Sequence, residues 1–124
     1  MSRWIAQPDK QCCGQIAVAI VANISLKESI EIFGHDSYTS TKDIVHVLKF
    51  LGFICNKHLK RKRTSILCIA KVWRPEWKQN WHWVVLKGNK IYDGVYGDKT
   101  GKAKWPVGAK ITSCLNIWSW QNAV

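Results

Sequence analysis

A thiol, an imidazole and a carboxylate recur here in an order that can perform acyl transfer. They are Cys13 in Cys13-Gly14, His82 in Trp81-His82-Trp83-Val84-Val85-Leu86, and Asp93 in Ile91-Tyr92-Asp93-Gly94. A cysteine at a helix N-terminus meets unpaired amides and the positive end of the macrodipole, and both favour thiolate over thiol. An imidazole can take the thiol proton and later protonate a leaving amine. A carboxylate on a neighbouring strand can hold the other ring nitrogen and fix the tautomer. Gln7, ahead of the cysteine, supplies an amide donor that joins the Cys13 backbone N–H in an oxyanion hole. Gly14, Trp81 and Trp83 are the candidate lining of a substrate cleft.

This chemistry needs a helix start for the cysteine and paired strands for the other two groups. Cys13 to Ile24 is apolar, with Ala17, Ala19 and Ala22; its β-branched residues would suit a strand, but its length and alanines favour a buried helix. Ser25-Leu26-Lys27-Glu28 matches a capping box, and Gly34 stops the short helix that follows. Ser40 opens a third helix in which Ile44, Val47, Leu48 and Leu51 share one face, with Gly52 as its stop.

Beyond Gly52 the pattern changes to strands. Phe53 to Asn56, Ser65 to Trp73, Trp81 to Lys87 and Lys90 to Asp93 are β-branched, aromatic and partly alternating. Gly88-Asn89 reads as a hairpin connection that brings Asp93 near the strand of His82. Gly94 to Gly108 reads mostly as loop, and Ile111 to Trp120 supplies a final strand. Helices first and antiparallel strands afterwards make an α+β domain.

The 124 residues suit one domain, 1–124, and their 47% apolar content excludes a disordered chain. Lys and Arg number 19 against 8 for Asp and Glu, so the formal charge of +11 predicts attraction to polyanions or acidic proteins. No apolar run approaches the ~18–20 residues needed to cross a bilayer. Met1 to Gln11 carries Arg3, Asp9 and Lys10 and does not read as a secretory signal. Five cysteines in odd number suggest reduced thiols, hence a cytoplasmic protein, in the host's cytoplasm if phage- or plasmid-borne. Their spacings do not resemble a zinc site, so neither metal nor cofactor is expected.

The order Gln7, five residues, Cys13-Gly14, then His82-Trp83-Val84-Val85-Leu86, then Asp93 resembles the papain-like cysteine peptidases. The closest likeness is to the bacteriocin-processing branch, which removes double-glycine leader peptides. The likeness runs from Gln7 to about Gly97. It implies a papain-like fold, with Gln7 as oxyanion donor, Cys13 as nucleophile, His82 as base and Asp93 as orienting acid. Two positions depart from the branch: Cys12 stands where an acidic residue is common, and Gly94 follows Asp93 where proline is common.

The expected activity is therefore cleavage of a peptide, isopeptide or other amide bond, with deamidation or acyl transfer served by the same machinery. Each residue also has a plainer role open to it. Cys13 can be a small core residue, and Cys12 a resolving or structural thiol. Asp93-Gly94 is also an ordinary turn signal, and the tryptophans can be core. A competing function is a catalytically idle basic module that docks nucleic acid or an acidic partner. Its residues would be Lys57, Lys60, Arg61, Lys62 and Arg63, which otherwise form a solvated loop.

Overall fold

A computed structural model describes residues 4–6, 12–73 and 81–119. Among them are three helices followed by five strands: α1 (Cys13–Ala22), α2 (Leu26–Phe33), α3 (Thr41–Phe50), β1 (Phe53–Cys55), β2 (Leu67–Trp73), β3 (His82–Lys87), β4 (Lys90–Tyr92) and β5 (Lys110–Ser119). The architecture is α+β, as the order of patterns in the sequence implies.

Helix α1 is apolar apart from Gln15, and its residues from Cys13 to Val21 are all buried. Such a helix can only sit inside the molecule, and it packs between the sheet and the other two helices. It ends earlier than its apolar run. Asn23 turns left-handed at φ 56°, and the Ile24 N–H closes back on the Ala19 carbonyl at 3.1 Å. Asparagine tolerates that conformation better than any β-branched neighbour, so the chain turns there.

Both following helices begin with a complete capping box. The Glu28 N–H donates to Ser25 Oγ at 3.0 Å and the Asp43 N–H to Ser40 Oγ at 3.1 Å, with each carboxylate returning to the serine backbone N–H. Each such cap is worth about 1 kcal/mol. A buried stitch joins α2 to α1: the Ser29 hydroxyl donates to the Gln15 carbonyl at 2.7 Å. The Gln15 side chain donates in turn to the carbonyls of His35 and Ser37, at 2.9 and 3.0 Å. These bonds fix the α2–α3 connection over the start of α1.

The sheet has the order β1-β5-β2-β3-β4, with every neighbouring pair antiparallel. Ile69, Trp83, Val85, Leu115 and Ile117 form one core with α1 and α3. Cys68, Ala70, Val72, Val84, Leu86 and Cys114 form a second core, against which Ile91, Trp105 and Ala109 pack. Period two along each strand separates the sets. The β2–β5 register shifts between Lys71 and Val72, and Val72 is paired with His82 on the other side. The residue skipped in that pairing is Thr112, so the irregularity bends β5 across β2 from the first residue of β3.

Candidate active site

Cys13 is the first residue of α1, so its backbone N–H is one of the helix-start donors without an intrahelical partner. Gly14 follows because Thr39 lies against it: a Cβ at position 14 would overlap the Thr39 hydroxyl. Cys13 is 8% exposed, whereas Cys12 beside it is sealed completely in the core.

His82 opens β3 and is also 8% exposed. Its Nε2 lies 2.8 Å from Asp93 Oδ1, and its side chain is hydrogen-bonded to that of Cys13. With Nε2 committed to Asp93, Nδ1 is the ring nitrogen left for the thiol. The hairpin β3–β4 accounts for the Asp93 contact, since Tyr92 pairs with Val85 and the chain then carries Asp93 past the end of the ladder.

Asp93 is fully buried and its carboxylate is saturated. Besides His82, Oδ1 accepts the backbone N–H groups of Val95 at 2.8 Å and Tyr96 at 3.0 Å. Oδ2 accepts the indole N–H of Trp105 at 2.7 Å. Its backbone carbonyl accepts the Trp4 indole at 2.7 Å and the Gly97 N–H at 3.0 Å. The turn signal at Asp93-Gly94 and the contact with the imidazole thus coexist, because one oxygen closes the turn and also holds the ring. Gly97 completes the grip, since a Cβ there would come within 2.7 Å of the Asp93 carbonyl oxygen.

Electrostatics follow from this packing. Burial is the largest influence on the His82 pKa and pushes it down. The hydrogen bonds to Asp93 and Cys13, then the charges of those groups, outweigh it and hold the value up at about 9. Burial also leads at Asp93, pushing upward, but the hydrogen bond and charge of His82 and the N–H groups of Tyr96 and Val95 hold the carboxyl below its ordinary value. An ionised Asp93 can only accept, so His82 Nε2 carries a proton and donates.

A histidine whose folded pKa is raised contributes its full stability below the unfolded value of 6.5 and loses it as pH rises through about 9. The stability margin of the wild-type chain over a His82→Gln chain is therefore expected to shrink between about pH 7 and pH 10, read by urea unfolding at each pH. A margin that stays constant across that interval contradicts the pairing.

The two tryptophans named as candidate cleft lining differ in exposure. Trp83 is buried among the α1-side core residues and Trp81 is 47% exposed. Alternation places both on the face opposite His82. The aromatic groups around the imidazole–carboxylate pair are Trp105 and Trp4, which grip Asp93, and Tyr96, whose ring stands edge-on to His82 at 6.2 Å. Sequence reasoning missed all three, since Trp4 and Trp105 lie in segments without periodicity. The one available signal was Asp93 itself, because an Asx turn commits the N–H groups of Val95 and Tyr96.

The basic run is also corrected at one position. Lys57, Lys60, Arg61 and Lys62 are exposed, but the Arg63 guanidinium is spent on three carbonyls, those of Ser65 and Gly88 at 2.9 Å each and that of Ile66. It closes the loop onto the β3–β4 hairpin, leaving little of its fork for a phosphate. Asn116 anchors the same loop from beneath, accepting from the N–H groups of Thr64 and Ser65 and donating to the Lys62 carbonyl. Gln7 lies outside the described residues.

Among the described residues no group of three His, Cys, Asp or Glu side chains could hold a metal ion, and no helix is long and apolar enough to cross a membrane. No protein-family model matches the chain, and a search of curated proteins finds no match either.

Proposed function

We propose that this chain is a papain-like cysteine peptidase, similar to the bacteriocin-processing branch, that cleaves a peptide or related amide bond. One observation carries the reading: His82 reaches a saturated, buried carboxylate with one ring nitrogen and the thiol at the start of α1 with the other. In the proposed cycle Cys13 Sγ attacks the scissile carbonyl carbon, and the oxyanion is held by the Cys13 backbone N–H, with Gln7 as the second donor that the resemblance implies. His82 gives its Nδ1 proton to the departing amine as the C–N bond breaks. It then takes a proton from water, whose oxygen attacks the thioester and frees the acid and the thiol. Asp93 keeps the ring oriented and stabilises the imidazolium. With ammonia as leaving group the same steps give a deamidase, and with an amine in place of water a transferase.

Thiol reactivity tests this directly. With limiting iodoacetamide near neutral pH, Cys13 should be alkylated first, on the order of tenfold or more ahead of Cys55, with adducts located by peptide mass mapping. Cys55 is the more open thiol, yet burial pushes its pKa up, only partly countered by Lys49. Cys114 is pushed up to about 11, by burial first and then by neighbouring Cys68. Labelling led by Cys55 would reject a His82-activated Cys13.

A second reading is favoured by the exposure of Lys57, Lys60, Arg61 and Lys62 on one loop. In it the fold is an idle docking module for nucleic acid or an acidic protein. Its hallmark is binding that weakens steeply with salt and ignores substitution at Cys13.

A further inference from the structure

Lys71 of β2 lies directly across from Trp83 of β3. Its ammonium sits over two indoles at once, 4.6 Å from the ring centroid of Trp81 and 5.1 Å from that of Trp83. The exposed Trp81 ring leaves this platform open to solvent on one side. On the other side it leads to the nucleophile. The Trp83 indole N–H donates to the Thr39 carbonyl at 3.4 Å, and Thr39 lies against Gly14, the neighbour of Cys13. The Thr39 hydroxyl there is buried without a hydrogen-bond partner among the described residues. Burial lowers the Lys71 pKa, and among the described residues no carboxylate charge works against it. Aromatic faces attract a cation only modestly, so an ammonium partly withdrawn from water gains most when a ligand brings an anion to it.

We propose that Lys71, held between Trp81 and Trp83, is a subsite for a carboxylate of the peptide whose bond Cys13 attacks. The inference deepens the peptidase reading and rests on it. The carboxylate belongs either to an Asp or Glu side chain near the scissile bond or to the free C-terminus of a short peptide.

Two alkylating agents of nearly equal size test the charge. The ratio of Cys13 labelling rates, iodoacetate over iodoacetamide, is expected to fall on the order of fivefold in Lys71→Met, with the iodoacetamide rate unchanged. Lys42→Met, at an exposed position on α3, should leave the ratio where it was. A ratio unaltered by Lys71→Met, or lowered equally by Lys42→Met, overturns the subsite. If Cys13 in the wild-type chain does not outpace Cys55 with the neutral reagent, the peptidase reading has failed instead.

Source is resolved by protection of Cys13 from iodoacetamide. Protection by an amidated Ala-Glu-Ala-Ala peptide identifies a side-chain carboxylate, and protection by free-acid Ala-Ala-Ala but not its amide identifies a terminal one. Either must be lost in Lys71→Met. Equal protection by amidated Ala-Ala-Ala, or none by any peptide at millimolar concentration, overturns the proposal.

Discussion

A Cys13→Ala chain is expected to lose the acyl-enzyme burst with p-nitrophenyl acetate and to fall about 10⁴-fold or more in turnover, while unfolding at nearly the same temperature as the wild type. The size of the loss reflects the cooperation of nucleophile and base: with one absent, the other has nothing to activate. No other thiol can replace it, since Cys12, Cys68 and Cys114 are sealed in the two cores and Cys55 sits on β1 with a raised pKa. The structural cost is small because the side chain lies at the core's edge, and deleting one buried heavy atom costs about 1 kcal/mol. Stopped-flow absorbance and circular-dichroism melting separate the two effects. Turnover equal to wild type in Cys13→Ala would falsify the nucleophile assignment.

Asp93→Ala is expected to be the most destabilising single change in the molecule, by about 3–5 kcal/mol. Alanine leaves four donors without an acceptor: His82 Nε2, Trp105 Nε1 and the N–H groups of Val95 and Tyr96. Since domains of this size are held by only about 5–15 kcal/mol, much of the population could unfold at room temperature. Asp93→Asn separates fold from chemistry. Its amide oxygen can still accept from His82 and the turn, while its NH₂ meets the Trp105 indole as donor against donor, at a cost of about 1–3 kcal/mol. Without the charge the His82 pKa drops from about 9. The alkaline limb of Cys13 alkylation should then move to lower pH. Urea unfolding measures the first effect and the pH profile the second. A fully stable Asp93→Ala chain would show that the carboxylate is not the hub of this corner.

Local signals carried much of this architecture. The serine–acid boxes at Ser25 and Ser40 mark helix starts because their chemistry is complete within four residues. The Gly88-Asn89 turn likewise sets the β3–β4 pairing that brings Asp93 toward His82. The cysteine, histidine and aspartate were legible because their types are uncommon in such settings and their order is informative. Signals that need the third dimension were not. Trp105 reaches Asp93 from a loop without periodicity, and Trp4 does so across 89 positions of sequence. Trp81 and Trp83 looked like neighbours of His82 along the chain, yet the strand's alternation carries them to the other face. Arg63 read as one more cation in a run; only the folded loop shows its fork turned onto three carbonyls.

The convergence of Trp4, His82 and Trp105 on Asp93 has a temporal consequence. His82 and Trp105 reach Asp93 over only 11 and 12 positions, but Trp4 does so across 89 and the thiol of Cys13 meets His82 from the other half of the chain, so loop-closure entropy makes these two long-range contacts among the last to form. A growing polypeptide that has emerged only through the helices holds its thiol but has neither ring nor acid to ignite it. On the proposed reading, the molecule serves as its own inhibitor during synthesis, becoming reactive only once the sheet has closed behind the first helix.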